Sequence, residues 1–159
     1  MTVREPCGHY LAGLTDGEGC FAIWKTVRPR KRDGWRCAFL IHLRRDDLPL
    51  LEALQAETGL GRINLGRRSK VGGDHPSVRW VVARKAECLQ LVSIFEAYPL
   101  RSKKARDFEV WAEAVRAWSR GHTYLLPALS RTLKETRAYA ADAVEWPDEV
   151  AQLELVESE

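Results

Sequence analysis

The sequence predicts an α+β domain in which helices alternate with two antiparallel hairpins, in the order helix, strand, strand, helix, strand, strand, helix. Three observations carry that expectation. Apolar residues recur at three- and four-residue spacing in 10–14, 50–54, 88–95 and 108–118, the period of a helix with one buried stripe. They alternate at two-residue spacing in 19–43 and 61–84, the period of a strand with one buried face. Glycine or proline stands at the changes of period, as at Gly19, Gly34, Gly59 and Pro99.

The first helix contains Tyr10, Leu11 and Leu14 and gives way at Gly19 to a strand. Asp16 and Glu18 therefore lie where a helix C-terminus meets a sheet. The backbone there already presents partial negative charge, so two added carboxylates are poor caps and attract a cation. Four-residue spacing sets Ala12 beside Asp16 and Gly13 beside Gly17. That gives the helix a side with almost no side chain, against which a second helix backbone can approach closely. Leu11, Ala12, Gly13, Asp16 and Gly17 are the candidate self-association face. If the partner is the same helix of a second copy, a two-fold axis brings two Glu18 carboxylates into one site.

In the first hairpin, Phe21, Ile23 and Val27 share one parity, and Ala22, Trp24, Thr26 and Arg28 the other. The return strand, Trp35 to Leu43, places Cys37, Phe39, Ile41 and Leu43 on one face and Arg36, Ala38, Leu40 and His42 on the other. Asp46 and Asp47 then offer N-cap oxygens, Pro49 fits a first helical turn, and Leu50, Leu51 and Leu54 make a stripe that ends at Gly59. The second hairpin runs from Gly61 to Arg68 and back from Val78 to Arg84. Cys88, Leu91, Val92 and Phe95 mark a third helix, stopped by Pro99.

Phe108, Trp111, Ala112, Val115 and Trp118 form the stripe of a fourth helix whose first turn carries Arg101, Lys103, Lys104 and Arg106. Cations at a helix N-terminus oppose the dipole, which is tolerated where an anion meets both the cations and the free N–H groups. Past Gly121, Tyr124, Leu126, Leu129 and Leu133 suggest a further amphipathic helix, expected over the outer side of the sheet. Residues 1–120 are thus expected to form the main domain, and 121–159 a helical extension with an acidic tail.

The 159 residues carry a net charge of +3, but the distribution matters more than the sum. Cations crowd the two hairpins, with Lys25, Arg28, Arg30, Lys31, Arg32, Arg36, Arg44 and Arg45 against Asp33 in 25–45. In 62–85 they are Arg62, Arg67, Arg68, Lys70, Arg79, Arg84 and Lys85 against Asp74. Residues 142–159 contain acids and no Lys or Arg. Two basic hairpins are the footprint of a polyanion. No long apolar run or signal-like start is present, so the sequence reads as intracellular, bacterial or organellar. Cys7, Cys20, Cys37 and Cys88 are scattered without a C-x-x-C pair, which argues against structural zinc and a disulfide framework.

Residues 11–19, Leu-Ala-Gly-Leu-Thr-Asp-Gly-Glu-Gly, match LAGLIDADG at six of nine positions, and the chain resembles the LAGLIDADG homing endonucleases along roughly residues 8 to 118. Thr15 replaces Ile, Gly17 replaces Ala, and Glu18 replaces Asp with the carboxylate retained. The resemblance implies an αββαββα fold whose curved, four-stranded antiparallel sheet lies with its concave face on DNA, plus additional C-terminal helices. It implies Glu18 as the metal-ligating carboxylate and the Gly17 carbonyl as a second ligand, with Mg²⁺ as the ion and Mn²⁺ as a substitute. A lysine after "Pro-Leu" reaches the scissile phosphate in the family. Pro99-Leu100-Arg101-Ser102-Lys103-Lys104 matches that context, with Lys103 the first candidate and Lys104 the second. Asp16 is assigned less to metal than to holding the helix end.

A polar residue near the end of the second strand, another family element, aligns near Leu43 or Arg44. With one motif per chain, the resemblance implies a homodimer on a roughly palindromic duplex, cut across the minor groove to leave 3′ overhangs. The hairpins would occupy the flanking major grooves. Base contacts would come from the face containing Ala22, Trp24, Thr26, Arg28, Arg36, His42, Asn64 and others. Arg30, Lys31, Arg32, Arg44, Arg62, Arg67, Arg68, Lys70, Arg79 and Arg84 complete the DNA-binding set, many of them through phosphates.

Hydrolysing a phosphodiester needs an activated water and a sink for charge at phosphorus, both of which divalent ions on carboxylates supply. Other nuclease classes find no support: there is no Glu-x-Lys or Asp-x-Lys for a PD-(D/E)xK core. His9, His42, His75 and His122 are too far apart for an HNH or HExxH arrangement. The alternatives are a cleavage-deficient relative acting as an RNA-splicing maturase or DNA-binding regulator, and a protein-interaction domain with an incidental acidic turn.

Overall fold

A computed structural model of the chain describes residues 3–28, 31–66 and 76–138. Helix α1 (Glu5–Glu18) leads into β1 (Gly19–Arg28) and β2 (Lys31–Arg44). A 3-10 turn at Arg45–Asp47 then precedes α2 (Leu48–Thr58), β3 (Arg62–Leu65) and β4 (Ser77–Val82). Three helices follow, α3 (Lys85–Ala97), α4 (Lys104–Ser119) and α5 (Leu126–Arg137). The strands form one antiparallel sheet in the order β1-β2-β4-β3, so the expected α+β order is observed. The second hairpin is shorter than the alternation predicted. Its return strand ends at Val82, and Arg84 serves instead as the N-cap of α3, paired with Glu87 at 3.5 Å.

Register sorts the side chains. Phe21 lies opposite Phe39, Ile41 opposite Trp80, and Ile63 opposite Trp80 from the other side, and this face meets the helices. The Phe21 ring contacts Phe39, Phe95, Phe108 and Trp111 at centroid distances of 5.2–6.0 Å. Burying one such aromatic stabilises by about 2–3 kcal/mol. Trp80 is fully buried and its indole N–H donates to the Leu60 carbonyl at 2.9 Å, which meets the polar requirement of a core tryptophan. Gly61 beside it has φ +72, and a Cβ there would lie 2.6 Å from the Val81 oxygen. Only glycine fits that close approach.

The last helix departs from expectation. α5 packs on α4 and along the free edge of β1 rather than over the outer side of the sheet. The Ser130 hydroxyl donates to the Ile23 carbonyl at 3.2 Å and the Arg137 guanidinium donates to the Phe21 carbonyl. Two outward carbonyls of an edge strand are thereby satisfied, a standard protection against pairing with other chains. Leu126 and Leu133 join the common core while Tyr124 is exposed.

Candidate active site and nucleic-acid face

The helix-to-strand junction is built by sterics. Gly19 donates its backbone N–H to the Thr15 carbonyl, and a Cβ at Gly19 would sit 2.5 Å from Thr15 Cγ2. The chain can leave α1 and enter β1 there only without a side chain. Glu18 is consequently the last helical residue, exposed to solvent. It shares an open depression with His42, Leu43, Arg44 and Ser77, at the end of the sheet face that the helices leave uncovered.

Asp16 holds the other side of the junction. Its carboxylate accepts the backbone N–H of Arg101, at 3.0 and 3.2 Å to its two oxygens, and that of Ser102 at 3.0 Å. Burial pulls its pKa up, but the Ser102 hydroxyl, these two N–H groups and the Lys104 charge outweigh that and hold it below the ordinary 3.8. The α3–α4 loop is thus tied to the motif, and Lys104 Nζ donates to the Gly17 carbonyl at 2.7 Å. Lys103 is exposed at the N-cap of α4, so Lys104, the second candidate by sequence, is the lysine that touches the motif. The basic segment needs no external anion at its N–H groups. Arg101 and Lys103 precede the helix, Asp16 takes the N–H of Arg101 and Ser102, and the Ser102 hydroxyl takes that of Lys104 at 3.2 Å.

The self-association face is also redrawn. Leu11 is fully buried and Ala12 is 5% exposed, because their side of α1 faces the chain's own core. Asp16 is occupied with the α3–α4 loop. Of that set Gly13 and Gly17 stay outward, on a helix that also exposes Tyr10, and a Cβ at either glycine would meet nothing within 4 Å.

The uncovered sheet face carries the expected polar set in rows. Trp24 lies opposite Arg36, and His42, Arg79 and Asn64 align across three strands, as do Leu40, Val81 and Arg62. Two members are partly engaged within the chain: the Thr26 hydroxyl donates to the Gly34 carbonyl at 2.7 Å, and the Arg36 guanidinium lies 5.9 Å from the Trp118 ring centre. Leu43 packs against the core, so the outward position at the end of β2 is Arg44, paired with Asp46. Arg28, Lys31 and Arg32 lie on β1 and β2. Arg30, Arg67, Arg68 and Lys70 lie outside the described residues.

The sequence model of the LAGLIDADG endonucleases matches residues 11–115. The chain belongs to the LAGLIDADG family. A relative named probable intron-encoded endonuclease 3, from Neurospora crassa, is 33% identical over 108 residues, 66% of this chain and 19% of its own length. The LAGLIDADG meganuclease I-AabMI, solved bound to uncleaved DNA, is 26% identical with a TM-score of 0.63. That match covers 91% of this chain and 48% of the meganuclease. The homing endonuclease I-TnaI shares the fold at 22% identity and a TM-score of 0.65, with 99% of each chain covered. The chain therefore spans about a fifth of that curated relative and about half of I-AabMI. Among the described residues no helix is long and apolar enough to cross a membrane.

The oxygen donors at the LAGLIDADG junction, the Glu18 carboxylate and the Gly17 carbonyl, suit a hard divalent cation. Gly17's oxygen already accepts a bond from the Lys104 ammonium, which shows that it faces positive charge. Among the described residues no group of three or more His, Cys, Asp or Glu could hold a metal. The residues that sequence reasoning missed are Asp107, Thr136 and Arg137. They line one cleft with Gly19, Cys20, Lys103 and Lys104, and only an acid in the first turn of α4 hinted at them.

Proposed function

We propose that the chain is a site-specific double-strand DNA endonuclease that works as a homodimer on a roughly palindromic target. The observation that carries this reading is the placement of Glu18 at the rim of a basic, helix-free sheet face, with the Lys104 ammonium one residue away on the Gly17 carbonyl. Rows such as His42, Arg79 and Asn64 suit base edges in a major groove. A polyanion held there brings a phosphate to the carboxylate end of the sheet.

Glu18 and the Gly17 carbonyl would hold Mg²⁺, with Mn²⁺ as a substitute, together with Glu18 of a second copy. The ion, when bound, supplies Lewis acidity at the phosphoryl oxygens and lowers the pKa of a coordinated water. The chain's own contribution is placement. Glu18 orients that water, and Lys103 or Lys104 offsets the negative charge that grows on phosphorus. Asp16 keeps the lysine-bearing loop against the motif. The outward side of α1, with Gly13, Gly17 and Tyr10, lets two copies meet so that each strand faces one carboxylate.

The test selects a target from a random duplex pool by binding in Ca²⁺, then presents it in a plasmid with Mg²⁺. The wild-type chain linearises the plasmid, and Glu18→Gln binds equally but leaves it closed. Cutting by Glu18→Gln overturns the catalytic assignment. Binding without any cutting by the wild type favours the maturase or regulator. Affinity that does not fall by about a thousandfold or more between 50 and 200 mM salt removes the DNA face.

A further inference from the structure

Asp107 is a carboxylate only 8% exposed in the first turn of α4. Both its oxygens are engaged by α5, Thr136 Oγ1 donating to one at 2.8 Å and Arg137 Nε to the other at 3.4 Å. The same guanidinium donates to the Phe21 carbonyl on β1. One side chain therefore ties three elements together.

Each element leads straight back to the motif. Phe21 stands three residues after Glu18, and Asp107 three residues after Lys104, one helical turn along the same side of α4. Lys104 in turn reaches the Gly17 carbonyl. The contacts close a ring through Gly17, the start of β1, Arg137, Asp107 and Lys104. Asp16 fixes the loop before α4 from one end, and Arg137 fixes the first turn of α4 from the other.

We propose that Arg137 is a positioning residue for the cleavage step: it holds the first turn of α4 against the start of β1, so that the Lys104 ammonium stays beside the Gly17–Glu18 end of α1. The helix expected to be an appendage is then part of the active-site scaffold. This rests on the endonuclease reading for its kinetic consequence, though not for its structural one.

The experiment uses the full chain with Arg137→Met, Arg137→Lys and Asp107→Asn. Asp107→Asn removes the charge that holds Arg137 without leaving a buried carboxylate unpaired, and so serves if Arg137→Met folds poorly. Lysines are acylated at limiting reagent and read by peptide mass spectrometry, with exposed Lys134 as the internal reference. Loss of the tie should raise labelling of Lys104 relative to Lys134 by at least about threefold, as a local opening. Single-turnover cleavage in Mg²⁺ should fall at least about tenfold in Arg137→Met while the dissociation constant in Ca²⁺ stays within about twofold, because misplacement costs rate more than binding. Arg137→Lys should recover part of both losses. Unchanged Lys104 labelling in Arg137→Met and Asp107→Asn overturns the proposal. So does an affinity loss that matches the rate loss, which would make Arg137 a DNA contact. If the wild type does not cut at all, the endonuclease reading fails, and the labelling ratio still decides the tie.

Discussion

Replacing Asp16 by Asn tests the contact that joins the motif to the lysine loop. The Arg101 and Ser102 N–H groups both end on this carboxylate, and a hydrogen bond to an ionised acceptor contributes about 1.5–3 kcal/mol. Because the group is partly open to water, the lower end applies, about 3 kcal/mol for the two N–H groups. Asn keeps one oxygen for one N–H and turns an amide N–H₂ towards the other, so Asp16→Asn should cost about 2 kcal/mol. In a chain near this size that lowers Tm by about 4–8 °C. The pH dependence has a definite sign. The folded pKa lies below the ordinary 3.8, so the contribution is whole above 3.8 and is lost as pH falls through the folded value. Thermal melts of both proteins at pH 7 and in acid should show a gap that narrows below that value. A Tm within about 1 °C of wild type at pH 7 would refute the reasoning, as would a gap that acid leaves untouched.

Gly13→Leu adds a side chain into open space on an exposed helix, so the protomer should be no less stable, helped by about 1 kcal/mol of helix propensity. If the chain dimerises as proposed, sedimentation should show loss of that dimer, and a dimer that persists places the two-fold contact elsewhere. Thr15→Val removes a buried hydroxyl that has no partner among the described residues and should raise unfolding free energy by about 1 kcal/mol in urea titrations. Gly61→Ala forces a Cβ to 2.6 Å from the Val81 oxygen at φ +72. It should cost about 2 kcal/mol or more by the same measurement.

Much of the fold was legible because its signals are local. Two-residue alternation in 19–43 separated Phe39 from His42, and the pairing of β2 with β4 kept them on opposite faces. Glycine at position 19 and the acid before it located the junction, since steric crowding by Thr15 acts over one helical turn. The site was legible only as far as such short-range rules reach. Spacing could group Ala12 with Gly13 on a small-residue helix, but could not say that the core covers Ala12 and leaves Gly13 outside. That depends on how α1 is rotated against the rest of the chain.

By itself the sequence determined the order of elements, the buried parity of the strands, the family, and the position of Glu18 at a helix end beside a basic sheet. Each follows from periodicity, charge and chain geometry within a few residues. Tertiary structure alone decided that Asp16 caps a loop more than eighty residues away and that Lys104, not Lys103, meets Gly17. It also decided that Arg137 reaches both Asp107 and the edge of β1. Those contacts are set by how helices dock on a sheet, where a rotation of one residue, about 100°, exchanges one neighbouring side chain for the next.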